Sequence, residues 1–351
     1  MKKDIVWMDY ARYIGIFLVI FGHSLQKFNW DECTFVKTLW DYIYLFHMPL
    51  FFIISGYLYE SKAVNMTNIQ FGGGKIVKTI LFPYVLYQFA FFPLALYASH
   101  GFTETSVISK LLLGILAGDG YETSFSKYVC LPCWFIVCII QIRLLFMLVP
   151  INKYTSSLLS CCCIVLLVLC KQSNVDLYFC LDNTMMAIPY FLFGHYLRRI
   201  RYTECKRNFF LLIVAVVTII SIAVILNWNG PAQMIGPSYG KNIFVNYMAG
   251  ILGTLLVWAV SNIVANFYEN KKFIRTIYRN TLFIIFFHWL ILTGCGFIIK
   301  KLLWNSCLSG ICIIVSSLIL SQIVLWISNK VIVYGVCRYP ILFGKQYKKY
   351  I

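Results

Sequence analysis

The sequence predicts an all-α integral membrane protein, a bundle of about ten transmembrane helices with its N-terminus in the cytoplasm. Three observations predict it. Of 351 residues, 60% are hydrophobic and 12% charged, with a mean hydropathy of +0.77; a soluble domain carries about 25% charged residues. Apolar stretches long enough for a bilayer core, about 20 residues, recur from Ile5 almost to Asn329. Lysine and arginine are also distributed unevenly between alternate loops.

In chain order, the candidate spans are 5–25, 38–59, 76–99, 129–149, 155–171, 183–199, 208–227, 243–265, 280–299 and 308–329. The first follows Lys2 and Lys3 but lacks a small-residue cleavage site and contains Asp9, Arg12 and His23, so it reads as a retained helix rather than a signal peptide. The fifth is short and the sixth is interrupted by Pro189. Between the third and fourth, Val107–Ala117 is apolar enough for an interfacial helix. With the N-terminus inside, 20 of the 30 Lys and Arg fall in cytoplasmic loops, 8 fall outside, and Arg12 and Arg143 lie within spans. That split follows the positive-inside rule and favours an even count. The spans make one transmembrane domain, 1–329, followed by a short basic cytoplasmic tail, 330–351.

The net charge of +17 is accounted for by basic loops facing anionic headgroups. No nucleic-acid-binding pattern accompanies it, so membrane lipids are the expected partners and nucleic acid is not. Most of the 14 cysteines lie in apolar runs, as in Cys161, Cys162 and Cys163, and behave as small hydrophobes. Cys130 and Cys133 form a C-x-x-C without the second pair or nearby histidine that zinc requires, and no other spacing suits a metal. Cys33 could pair with another outer-loop cysteine.

The first span reads DYARYIGIFLVIFGHS from Asp9. Arg12 and His23 are 11 residues apart, three helical turns plus about 20°, so they share a face about 16 Å apart along the axis. Asp9 stands three residues before Arg12 and can pair with it. Ionisable groups inside a span are costly and tend to mark sites. The spacing alone leaves two readings open: a shared polar cavity, or an arginine snorkelling to the cytoplasmic headgroups and a structural histidine. In the second span, LFHMPLFFIISGYLY, His47 precedes Pro49, which frees carbonyls and allows a kink; His47 either bonds such a carbonyl or faces a cavity. Arg143 and His288 are further polar groups within spans, each either cavity-facing or satisfied locally.

Arg-x10-His followed by FHMPLFFIISGYL resembles membrane-bound acyltransferase family 3, and within it the fucose 4-O-acetylase-like proteins of bacterial envelopes. Three later segments are similar in order: LPCWFIVCIIQIR at 131–143, IPYFLFGHYLRR at 188–199 and RNTLFIIFFHW at 279–289. The resemblance implies a multi-pass enzyme of the bacterial plasma membrane. It would transfer an acyl group, usually acetyl, from cytoplasmic acyl-coenzyme A to a hydroxyl of an envelope glycan or its lipid-linked precursor. The donor, acetyl-CoA, would then be the cofactor-like substrate, without a metal. The resemblance also implies that Arg12 and His23 are essential. Chemistry favours His23 as general base over an acyl-histidine, and Arg12 for the donor's phosphates or thioester end. Asp9, His47, Trp134, Arg143 and His288 are candidate cavity or substrate contacts. Arg198, Arg199 and Arg201, with Lys271 and Lys272, are candidates for the coenzyme A phosphates, although the positive-inside rule alone would also put them there. The competing reading is a transporter or flippase for a saccharide or organic acid, which more typically shows internal repeats and broken helices; no repeat is evident.

Overall fold

The computed structural model describes residues 6–28, 33–61, 64–99, 105–118, 126–198, 207–236, 238–267, 272–303 and 309–338. They form 14 α-helices, with one isolated β-bridge between Gln233 and Ser238. The protein is an all-α membrane protein. Eight helical stretches are long and apolar enough to cross a bilayer. Two expected spans fall short of that measure. α1 (Val6–Leu25) has 20 residues but carries Asp9, Arg12 and His23, and the helix over the sixth expected span has 17 residues and contains Pro189.

The chain divides into two compact units. The first comprises Met1–Tyr57, Gly194–Met234 and Ser238–Tyr334. It contains α1, α2 (Thr34–Tyr44), α3 (His47–Leu58, to Tyr57) and, further along, α10 (Asn208–Asn229), α11 (Ile243–Phe267), α12 (Lys272–Arg279), α13 (Thr281–Leu303) and most of α14 (Gly310–Arg338). Trp7, Met8 and Ala11 of α1 pack with Phe46, Leu50 and Ile54, and with Ile222 of α10 and Ala249 and Val257 of α11. Small residues permit the closest approaches, as they do between membrane helices generally. A Cβ on Gly253 would overlap Phe46, and one on Gly194 would overlap the Ile53 carbonyl. α10 and α11 form a hairpin closed by Asn229. Its Nδ2 donates to the Tyr239 carbonyl at 2.8 Å, and its Oδ1 accepts from the Asn242 N–H at 2.7 Å. The outward side chains of α10, including Phe209, Leu212, Val216, Ile220 and Val224, are exposed and apolar, as a lipid-facing surface requires.

The second expected span is two helices. The chain turns at Leu45–Phe46, so His47 opens α3 near the middle of the 25-residue apolar stretch Thr34–Leu58. Pro49 then occupies the first turn, where backbone N–H groups have no intrahelical partner and a missing one costs little. α12 lies in what hydropathy read as a loop; its eight residues, KFIRTIYR, alternate basic and apolar groups at helical spacing. α14 runs to Arg338, nine residues beyond the expected end at 329, because 331–336 remain apolar; Lys330 lies within it, its ammonium 5.7 Å from the Trp326 ring centre. Residues 339–351 of the expected tail lie outside the described residues.

The second unit comprises Leu58–Phe193 with two short segments, 235–237 and 335–351. α4 (Met66–Ile76), a wider turn (Val77–Leu81) and α5 (Phe82–Ala98) run as one rod of 33 residues, starting ten residues before the expected span. α6 (Val107–Ala117) is helical over the expected residues, with Leu112 and Leu116 exposed and Leu111 and Ile115 buried. The Tyr84 hydroxyl ties α5 to it by donating to the Ile115 carbonyl at 2.8 Å. α7 (Trp134–Leu148), α8 (Lys153–Gln172) and most of α9 (Leu181–Leu197) complete the unit. Asn152 caps α8 by accepting from the N–H groups of Tyr154 and Thr155. Cys33, Cys130 and Cys133 are free thiols, and no group of metal-ligating side chains occurs among the described residues.

Candidate active site

α1 is one uninterrupted helix, so Arg12 and His23 stand on the same rod at its two ends, about 16 Å apart. Both ends belong to the first unit, and each gathers its own neighbours.

At the C-terminal end, Gly22 admits the ring of Tyr44: a Cβ there would lie 2.9 Å from Tyr44 Cε2. The Tyr44 hydroxyl thereby comes within 3.2 Å of His23 Nδ1 and donates to Gln26 Oε1 at 3.5 Å. His23 Nδ1 meets the same Gln26 oxygen at 2.9 Å. An amide oxygen only accepts, so Nδ1 carries the ring proton and Nε2 keeps its lone pair. Trp40 stacks on Tyr44 with ring centres 3.7 Å apart, and His47 meets the same ring at 4.5 Å.

α13 supplies the other wall. The His288 ring lies 5.6 Å from that of His23, and the Trp289 ring meets His23 edge to face at 5.1 Å. The Lys27 ammonium sits 4.4 Å from the centre of the Trp289 ring. His47 Nδ1 donates to the Ile43 carbonyl at 3.0 Å and His288 Nδ1 to the Ile284 carbonyl at 2.8 Å. Both histidines are thus anchored locally through one nitrogen, and the other nitrogen of each is an acceptor. Ser24 is turned away from this group, 3.2 Å from Ser321 of α14.

At the N-terminal end, Arg12 Nη1 approaches Asp9 Oδ1 only to 4.0 Å, and the arginine side chain keeps a quarter of its surface exposed. The Tyr278 hydroxyl of α12 donates to Asp9; burial and that carboxylate together push the phenol above its ordinary value. Phe273 of the same helix packs edge to face on Tyr13 at 6.4 Å. Arg275 and Arg279 lie in the electrostatic surroundings of Tyr278, and Arg198 in those of Tyr57, whose ring touches Trp7 at 6.1 Å. This end of α1 is therefore bordered by cations.

The other sequence candidates divide as follows. Trp134 and Arg143 belong to the second unit, on α7. Trp134 is buried, and the buried Nε of Arg143 meets no acceptor among the described residues, with Tyr59 its electrostatic neighbour. Lys272 begins α12, and Arg198 is exposed in the turn after α9. Arg199, Arg201 and Lys271 lie outside the described residues. Four neighbours were not singled out from the sequence: Gln26, Tyr44, Trp289 and Tyr278. Gln26 is three residues after His23, a spacing that shares a helix face, and that signal was available; Tyr44 ends α2, across the Leu45–Phe46 turn from His47. The proximity of Tyr278 to Asp9 depends on α12, whose position hydropathy does not give.

No solved structure matches the chain. Two curated proteins are similar over a short stretch, both described as nodulation protein NolL. The one from Mesorhizobium japonicum is 39% identical over 77 residues, 21% of this chain and 20% of that protein. The one from Sinorhizobium fredii is 32% identical over 82 residues, 23% of this chain and 22% of that protein. The chain thus spans about a fifth of the relatives it matches. The family model described as "Acyltransferase domain", of acyltransferase family 3, matches residues 5–326. That match contains both ends of α1, their partners on α2, α3, α12 and α13, and nearly every helix of the fold, and the chain belongs to this acyltransferase family.

Proposed function

We propose that this protein is a membrane-bound O-acyltransferase that moves an acyl group, acetyl by family resemblance, from cytoplasmic acyl-coenzyme A to a hydroxyl of an envelope glycan or its lipid-linked precursor. The single observation that carries the reading is the placement of His23: its Nδ1 lies 2.9 Å from the Gln26 amide oxygen, beside Tyr44, a contact that favours the proton on Nδ1 and leaves Nε2 as the base. An imidazole is suited to deprotonating a hydroxyl near neutral pH.

The proposed step is a direct displacement. His23 Nε2 takes the acceptor's hydroxyl proton as its oxygen bonds to the thioester carbonyl carbon. The tetrahedral adduct collapses, the carbon–sulfur bond breaks, and the imidazolium returns the proton to the thiolate. The products are the O-acyl glycan and free coenzyme A. No acyl-histidine is needed. Arg12 holds the donor, and Arg198, Arg199, Arg201, Lys271 and Lys272 supply cations for its phosphates. The extended pantetheine arm of coenzyme A suits the distance from the Arg12 end of α1 to the His23 end. In this reading the N-terminus is cytoplasmic, the multi-pass chain lies in the bacterial plasma membrane, and 1–329 form the catalytic domain.

The test compares the wild type with His23→Ala in a deletion strain, measuring O-acetyl groups on each purified envelope polysaccharide by NMR. Loss of acetyl from one glycan is expected. Wild-type acetylation by a membrane-inserted His23→Ala protein would falsify the base assignment. For the donor, Arg12→Ala should weaken acetyl-CoA binding about 10-fold or more, the scale of a lost charge-assisted contact; unchanged affinity in a titration removes Arg12 from donor binding.

A further inference from the structure

Three imidazoles lie along one run of rings, His47 against Tyr44, Tyr44 against His23 and His23 against His288, and each has its Nδ1 committed: His23 to Gln26, His47 to the Ile43 carbonyl, His288 to the Ile284 carbonyl. Each donates from Nδ1, so the cluster offers lone pairs from its Nε2 atoms. In His288 that atom is fully buried and meets no hydrogen-bond partner among the described residues. A bare acceptor in a dry interior is costly, and native proteins rarely leave one without a reason. Nor is it remote from the chemistry, since its ring lies 5.6 Å from His23 with the planes inclined by 32°.

Two kinds of donor could satisfy it. An ammonium is disfavoured, because Lys27 already places a positive charge in the surroundings of both His23 and His288. A neutral hydroxyl meets no such penalty. Adjacent hydroxyls of a pyranose lie within hydrogen-bonding distance of one another. If one is bound to His23 Nε2 at about 2.8 Å, its neighbour can reach the second imidazole. Trp289, edge to face with His23 and with the Lys27 ammonium over one face of its ring, offers its other face as an aromatic wall of the kind a sugar ring packs against.

We infer that His288 Nε2 accepts a hydrogen bond from the hydroxyl adjacent to the one acylated, so that the acceptor is a vicinal diol of a saccharide and His288 decides which of its two hydroxyls reaches His23. This rests on the reading of His23 as base and extends it to substrate class and regiochemistry. His288 is a binding residue in this scheme, and the proton transfer stays with His23.

The test uses the full chain in lipid nanodiscs with acetyl-CoA and a panel of methyl pyranosides. The glycoside acetylated fastest is taken forward, the acetylated oxygen is located by NMR, and the two analogues lacking one or other adjacent hydroxyl are compared with it. In the wild type, one analogue should lose about 10- to 100-fold in kcat/KM, the range for an unpaired buried acceptor. His288→Phe keeps a ring of similar shape but no acceptor. It should lose about as much on the parent glycoside, cease to distinguish parent from analogue, and yield product acetylated on either hydroxyl. His288→Gln, which retains an acceptor oxygen, should recover part of the discrimination. Equal rates for the parent and both analogues with wild type overturn the inference, as does a His288→Phe protein that keeps the wild-type ratio. Absence of transfer from acetyl-CoA to every glycoside overturns the acyl-transfer reading itself, a distinguishable result, and the inference falls with it.

Discussion

In the proposed reaction His23 can act as a base only if its proton stays on Nδ1, and that depends on one amide. Gln26 accepts from Nδ1 at 2.9 Å, while the Tyr44 hydroxyl stands 3.2 Å from the same nitrogen. Replacing Gln26 with Leu removes the stronger acceptor and lets the ring proton move to Nε2. The expected result is a fall in kcat of about 10- to 100-fold, the scale of a general-base contribution, with the KM for acetyl-CoA unchanged. Nitrogen-15 spectra of histidine-labelled protein check the cause directly, because the chain has 5 histidines and the His23 signal is identified by its loss in His23→Ala. A wild-type spectrum with the proton on Nε2 rules this account out.

Among the elements, α1 and α3 show what hydropathy and spacing make legible and what they miss. The 11-residue interval between Arg12 and His23 places them on one helix because helical geometry is local, and the structure has that helix. Asp9 and Arg12 meet for the same reason. The break at Leu45–Phe46 was legible only as a kink near Pro49, since a proline tolerated in a first turn and one bending a continuous helix look alike in sequence. Tyr44 is one of 24 tyrosines. Nothing in the chain around it states that a glycine 22 residues earlier leaves room for its ring. That glycine gives a second prediction. Gly22→Ala puts a methyl 2.9 Å from Tyr44 Cε2, and overpacking of this kind costs about 1–3 kcal/mol. Thermal unfolding in detergent should shift down, and O-acetylation should fall further than in Tyr44→Phe, which loses only the hydroxyl. A Gly22→Ala protein with wild-type stability and activity contradicts the packing argument.

On the scale of the whole molecule, composition and hydropathy carried the fold class, and the helices recur close to the expected spans. What they could not carry was whether α1 and α9 cross the bilayer, since one is diluted by ionisable groups and the other is 17 residues long. Topology reporters separate the cases. If both cross and the N-terminus is inside, alkaline phosphatase fused after 103 or 237 is active, and fusions after 65 or 204 are inactive; fluorescent-protein fusions give the complementary pattern. An active phosphatase after 65 overturns this topology, either because α1 does not cross or because the N-terminus is outside, and a reporter fused ahead of α1 separates the two.

The polar face of α1 has a consequence for biogenesis. His23 finds its ring partners on α13 only when His288 and Trp289 have been made. At roughly 5–20 residues per second, the ribosome needs on the order of 15–50 s to travel from one to the other. Through that interval the nascent first helix has Asp9, Gln26 and Tyr44 beside its arginine and histidine but not the groups of α12 and α13 that complete their surroundings. It must wait in the translocon, beside an insertase or at the membrane surface. In a cysteine-free background, a chain halted before α13 should therefore leave a cysteine placed in its first helix open to a membrane-impermeant thiol reagent, and completion of α13 should protect it.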